Sequence, residues 1–92
     1  MAETDLTVAQ RFAENLLIHR RRLGLSQEEL GFLTNLHRTE IGQLERGNRL
    51  PRIDTLLKLS GALKVEPAAL FDGMKWRTGR GYKTGRFAVT EK

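Results

Sequence analysis

The side chains able to do chemistry in this 92-residue sequence are two histidines, His19 and His37, eleven carboxylates and sixteen Lys or Arg, with no cysteine. Without thiols there is no disulfide framework, thiolate metal site or sulfur nucleophile. The two histidines are too few and too far apart to hold a metal. Glu28 and Glu29 are adjacent, and consecutive residues of a helix do not share a side, so they make no carboxylate pair. No nucleophile–base–orienter set and no glycine-rich phosphate loop after a strand can be assembled. No enzymatic activity, metal or cofactor is therefore expected. Arg46, Asn48, Arg49 and Arg52 cluster within seven residues of chain.

Net charge does not by itself name the partner. The formal charge is +5, but residues 1–71 hold ten Lys or Arg against nine Asp or Glu, whereas residues 72–92 hold six against two. The basic excess thus lies in the tail. At 39% hydrophobic and 29% charged, the composition is that of an ordinary soluble domain with one modest core. No apolar stretch approaches a membrane span, and the acidic start has the wrong charge for a secretory signal, so a cytoplasmic protein is expected.

The elements that must position the polar residues are helices. Thr7-x-x-Gln10 and Ser26-x-x-Glu29 fit the capping box, and Leu25 and Leu30 flank Ser26 as a hydrophobic staple. Pro67 suits a first helical position, Gly24 and Gly47 suit helix ends, and Asn35 suits a left-handed turn. The pattern predicts helices at about 8–23, 27–34, 38–46, 53–63 and 67–71. Their shared core is expected from Val8, Phe12, Leu16, Leu23, Leu30, Leu36, Ile41, Leu44, Ile53, Leu56, Leu57, Leu63, Leu70 and Phe71. Gly31, Gly42 and Gly61 fall inside helices, where close helix approach is the expected reason for them. Beyond Asp72 the helical period stops. Two Thr-Gly-Arg copies separate Trp76, Tyr82 and Phe87, and Phe87 to Thr90 suits a short strand. Its aromatics suggest a basic extension that is partly docked, with a disordered extension as the alternative.

Helices at 27–34 and 38–46 joined around Asn35 make a helix-turn-helix. The run Gly24-Leu25-Ser26-Gln27-Glu28-Glu29-Leu30, then Leu36-His37-Arg38-Thr39-Glu40-Ile41, Leu44-Glu45-Arg46-Gly47 and Pro51 through Leu63 resembles the Xre/Cro/C1 family of phage repressors and bacterial regulators. The resemblance covers roughly residues 10–71. It implies an all-α, compact five-helix, lambda-repressor-like DNA-binding domain at 1–71, followed by the 72–92 extension. It also implies a homodimer on a palindromic operator in double-stranded DNA, regulating transcription, most often as a repressor. The family's base-reading places fall on Arg38, Thr39 and Gln43, with His37 at the groove edge. Arg can fork onto guanine, Gln can pair with adenine, and the Thr methyl can meet a thymine methyl. Gln27 falls where the family holds a phosphate and braces the recognition helix. Arg46, Asn48, Arg49 and Arg52 suit further phosphate contacts, and Arg20 and Glu45 match a structural ion pair between the first and third helices. Glu40 suits either a complement to the helix N-terminus or an acceptor for cytosine.

Several positions depart from that pattern. Phe32, Leu33, Leu17 and Ile18 are more apolar than the family's residues there, Thr34 and His19 more polar, and Arg52 replaces the usual cap of the fourth helix. The aromatic tail is expected to cover some of this apolar surface, within the chain or across a dimer. Two other readings stay open: the antitoxin of a toxin–antitoxin pair, with a protein partner bound through residues 72–92, and an adaptor that no longer binds DNA.

Overall fold

Both capping boxes form. Thr7 Oγ1 accepts from the Gln10 amide at 3.1 Å while Gln10 Oε1 accepts from the Thr7 amide at 2.9 Å, starting α1, Val8–Arg22. Ser26 and Glu29 repeat the arrangement at 3.0 and 2.8 Å at the head of α2, Gln27–Thr34. Each side chain satisfies an amide that the first helical turn leaves unpaired. In the computed structural model, which describes residues 2–91, three more helices follow. They are α3 (Arg38–Glu45), α4 (Ile53–Leu63) and the single-turn α5 (Pro67–Leu70). All five helices lie within one residue of the ranges predicted from sequence. The head of α4 has no side-chain cap bond, and Asp54 in its first turn supplies the acidic complement to the helix N-terminus.

The turn between α2 and α3 shows why Gly31 is glycine. Asn35 adopts φ +59°, the Leu36 amide donates back to Gly31 O at 2.9 Å, and a Cβ on Gly31 would stand 2.5 Å from Leu36 O. The approach is by the turn's own backbone. Gly42 is approached by the side chains of Arg46 and Gln27. Gly61 corrects the expectation: nothing lies within 4 Å of a Cβ built there, so no close helix contact accounts for it.

Phe12, Leu16, Leu30, Ile41, Leu44, Leu59, Leu63 and Leu70 form the central core. Four residues expected in it, Leu23, Ile53, Leu57 and Phe71, are exposed instead. On α4 the reason is that Thr55, Leu59 and Leu63, spaced by four, make the inward stripe. Ile53 and Leu57 lie on the opposite side, and apolar residues on both sides let the periodicity fit either face. Thr34 is buried because its hydroxyl donates to Leu30 O at 2.8 Å, which removes the penalty of an unpaired polar group.

The fold is not purely all-α. Residues 74–89 form an antiparallel hairpin of β1 (Met74–Thr78) and β2 (Gly85–Val89), with Trp76 opposite Phe87. The alternation Met-Lys-Trp-Arg-Thr is the strand signal that the helical reading passed over. The hairpin is anchored at its root. Asn15, fully buried on α1, donates to Leu70 O at 3.1 Å and Asp72 O at 3.0 Å. The buried Arg11 guanidinium lies against Gly73, where φ is +84° and a Cβ would collide with it. Ala88 and Val89 are buried, and the Thr4 amide donates to Val89 O at 2.8 Å, so the N-terminal segment runs along β2. Glu3 then pairs with Arg77 at 2.8 Å and Arg86 at 2.7 Å across the two strands, and these two guanidinium partners hold its carboxyl below the usual range.

The tail does not cover Phe32 and Leu33 within the chain: Phe32 remains 83% exposed, because the hairpin packs at the start of α1 and not on α2. Leu17 and Ile18 are half-buried, lying beside Thr4, Leu6 and Glu91.

Candidate nucleic-acid interface

On α3, Ile41 and Leu44 are buried in the core. At 100° per residue, Arg38, Thr39, Gln43 and Arg46 then fall within about 140° of arc on the other side. Gly42, between Arg38 and Arg46 on that arc, is buried beneath the side chains of Arg46 and Gln27. Arg38, Thr39 and Arg46 are exposed and Gln43 is half-exposed. The outer face of α3 is therefore a short, exposed polar surface.

One carboxylate fixes how that face is presented. Glu45, whose side chain is 5% exposed, accepts from Arg20 Nε at 2.5 Å and Arg20 Nη2 at 2.9 Å, the parallel fork that suits guanidinium and carboxylate. Gln27 Nε2 donates to the same Oε1 at 3.0 Å, and Arg20 Nη1 reaches Leu25 O at 2.7 Å. Arg20 of α1 and Gln27 of α2 thus converge on the last residue of α3, and the loop between them holds Arg20 through Leu25 O. The hydrogen bonds to Glu45 raise the Arg20 pKa above its ordinary value, against the opposing effect of burial. Gln27 therefore has a bracing contact in the structure.

His37 is the N-cap of α3: its Nδ1 accepts from the Thr39 amide at 3.0 Å. That bond needs an unprotonated Nδ1 and leaves Nε2 as the ring atom available for an outside partner. Glu40, in the first turn of α3, lies 3.6 Å from Arg49 Nη2.

The remaining arginines are held loosely. Arg38 pairs with Glu28 at 3.3 Å and Arg52 with Asp54 at 3.5 Å, in both cases between exposed side chains. Exposed pairs of this kind contribute only about 0–1 kcal/mol. A stronger anion can exchange with them. Arg46 has no ion pair among the described residues, and Asn48 and Arg49 are exposed in the loop before α4. The structure brings His37, Arg38, Thr39 and Gln43 together on α3. Gln27 lies across Gly42 from Arg46, and Asn48, Arg49 and Arg52 follow along the loop.

Comparison with known proteins adds ancestry to this geometry. A helix-turn-helix family model matches residues 16–70. The chain belongs to the Xre/Cro/C1-type helix-turn-helix family. The control protein C.BamHI of Bacillus amyloliquefaciens is 48% identical over 48 residues, 52% of this chain and 59% of that protein. The control protein C.SmaI of Serratia marcescens is 36% identical over 76 residues, 80% of this chain and 90% of that protein. Among solved structures, the restriction-modification controller C.AhdI of Aeromonas hydrophila superposes with a TM-score of 0.66 at 43% identity. That match covers 68% of this chain and 96% of C.AhdI. The P22 c2 repressor, solved with a synthetic operator, gives 0.64 at 32% identity, covering 67% of this chain and 94% of that chain. These relatives are named as regulators, in keeping with a DNA-binding role in transcription. Among the described residues, no helix is long and apolar enough to cross a membrane.

Sequence reasoning missed Arg11 and Asn15, which hold the hairpin, and Glu28 and Glu3, which pair with arginines. The partners of Glu28 and Glu3 are distant in sequence, so no local pattern signals them. Arg11 and Asn15 were legible only as polar residues flanking Phe12 and Leu16.

Proposed function

We propose that this protein is a sequence-specific regulator of transcription that lays α3 in the major groove of duplex DNA and acts as a repressor. Arg38, Thr39 and Gln43 read base edges, with His37 Nε2 at the groove edge. Gln27, Arg46, Asn48, Arg49 and Arg52 hold phosphates and set register. The observation that carries the reading is the outward polar arc of α3, locked to α1 and α2 through Glu45. A groove-reading helix must be held rigidly for its donors to discriminate bases. C.BamHI and C.SmaI are named control proteins and C.AhdI a restriction-modification controller, so genes of a restriction-modification system are the targets we infer.

The working unit is a homodimer on a two-fold symmetric operator. Its support is an apolar surface left open on the monomer. Ile53 is 73% exposed and Leu57 55% exposed on α4, and Leu50, Pro51, Leu56, Phe71, Trp76 and Phe87 line one apolar groove. Contiguous apolar surface of this kind marks a protein contact.

Selection from random duplex DNA, followed by titration at two salt concentrations, tests the reading. Arg38→Ala and Gln43→Ala are expected to relax preference at single base positions, at about 1–3 kcal/mol each, whereas Arg49→Ala weakens all sequences alike. If the parent protein holds every duplex equally, α3 does not read bases.

A further inference from the structure

We propose that the hairpin of residues 74–89 is a second DNA-contacting element, a basic arm whose tip grips the phosphate backbone beside the base pairs faced by α3. The inference rests on the DNA-binding reading above but concerns a part of the chain outside the residue 16–70 family match. C.AhdI is almost wholly accounted for by two thirds of this chain.

The first observation is charge. Residues 74–89 contain Lys75, Arg77, Arg80, Lys83 and Arg86 and no Asp or Glu. Glu3 neutralises part of this by pairing with Arg77 and Arg86 near the middle of the strands. Among the described residues, Lys75, Arg80 and Lys83 have no carboxylate partner. Two of these three, Arg80 and Lys83, lie at the tip.

The second observation is shape. The radius of gyration is 14.0 Å, against about 12 Å expected for a compact domain of this length. The longest dimension is 44 Å against 25 and 22 Å. Only Ala88 and Val89 of the hairpin are buried, and Tyr82 is 91% exposed, so the tip stands away from the helices. Yet the tip is built, not frayed. Thr84 Oγ1 donates to Gly81 O at 2.6 Å and accepts from the Gly81 amide at 3.0 Å, while Lys83 holds φ +61° with its ammonium 5.6 Å from the Tyr82 ring centre. Trp76 and Phe87 stiffen the stem by edge-to-face packing at 5.0 Å. The arm is thus pre-organised, so little entropy is lost when it docks.

The third observation is placement. Trp76, Phe87 and Met74 line the same groove as Leu50 and Pro51, the loop residues between Arg49 and Arg52. The stem therefore adjoins the segment proposed to hold phosphates. Trp76 and Phe87 face that groove, so strand alternation turns Arg77 and Arg86, both bound by Glu3, to the other face. Arg80 and Lys83 at the tip are the cations left for DNA. Duplex DNA is the partner this fits: phosphates meet Arg80 and Lys83, and the Tyr82 hydroxyl can donate to a phosphate oxygen.

The test compares the parent with Arg80→Gln/Lys83→Gln, and with Arg21→Ala/Arg22→Ala, which removes the same charge from the end of α1 distant from the hairpin. Each is titrated with the duplex selected by the parent and with an unrelated duplex, across a salt series. Near-UV circular dichroism of Trp76 confirms that the stem is intact. Removing one cation from a phosphate flattens the slope of log affinity against log salt by about 0.9. The tip variant is expected to flatten it by nearly twice that on both duplexes with the base preference kept, and the α1 variant to leave it unchanged. A tip variant with the parent's slope and affinity overturns the arm while leaving the α3 reading in place, and points to a protein partner for the tip. A parent without base preference whose slope still depends on the tip sinks the α3 reading and upholds the arm. A parent that binds no duplex removes both.

Discussion

Replacing Arg20 by methionine is expected to destabilise the fold by about 3–5 kcal/mol, the range for stranding one member of a buried ion pair. Glu45, whose side chain is 5% exposed, loses both bonds of the fork and keeps only the Gln27 amide at 3.0 Å, and Leu25 O loses its donor at 2.7 Å. Glu45→Leu is expected to be milder, about 2–3 kcal/mol, because the stranded guanidinium is 13% exposed and retains Leu25 O. The double variant Arg20→Met/Glu45→Leu leaves no stranded charge and is expected within about 2 kcal/mol of the parent, a coupling of at least about 3 kcal/mol. Urea unfolding followed by far-UV circular dichroism measures all four proteins, with a shared m-value as the check that the same surface is exposed in each. Single-variant losses that simply add in the double variant would refute the reasoning, because the carboxylate would then gain nothing specific from Arg20. The double variant should also bind its duplex less well than its stability implies, since only packing then holds α3 at its angle.

Other perturbations separate features that look alike in sequence. Gly61→Ala is expected to stabilise by up to about 1 kcal/mol through helix propensity, because its Cβ meets open space. Gly31→Ala should destabilise by about 1–3 kcal/mol, because its Cβ would press on Leu36 O in the turn; equal effects in thermal melts would remove the distinction. Hydrogen bonds from the backbone and side chain of Ser26 lower the Glu29 pKa below its ordinary value of 4.5. The resulting stability is complete above that value and is lost as pH falls through the lower folded pKa. Glu29→Gln should therefore flatten the acid limb of urea midpoints measured from pH 7 down to pH 3, and an unchanged limb would contradict this. Leu57→Asp is expected to shift sedimentation toward the monomer without unfolding it, and an unaltered mass would exclude α4 from the dimer contact.

The helices and their order were legible because their signals are local. A capping hydroxyl, a staple and a turn-forming Asn35 each act within a few residues, so the sequence alone determined the helix-turn-helix and which side of α3 faces out. Ile41 and Leu44 have no other place to go. Tertiary structure decided whatever depended on distant partners. α4 carries apolar residues on both sides, and only its packing with α2 and α5 chose Leu59 and Leu63 over Ile53 and Leu57. The extension became a hairpin because Asn15 on α1 binds its root and Glu3 ties its strands, through bonds that span more than fifty residues of chain, with the Arg11 guanidinium packed against Gly73. Local propensity cannot register a hydrogen bond whose two ends are distant in sequence, and that is why α3 was readable in advance while, of the hairpin, only the strand near Phe87 was.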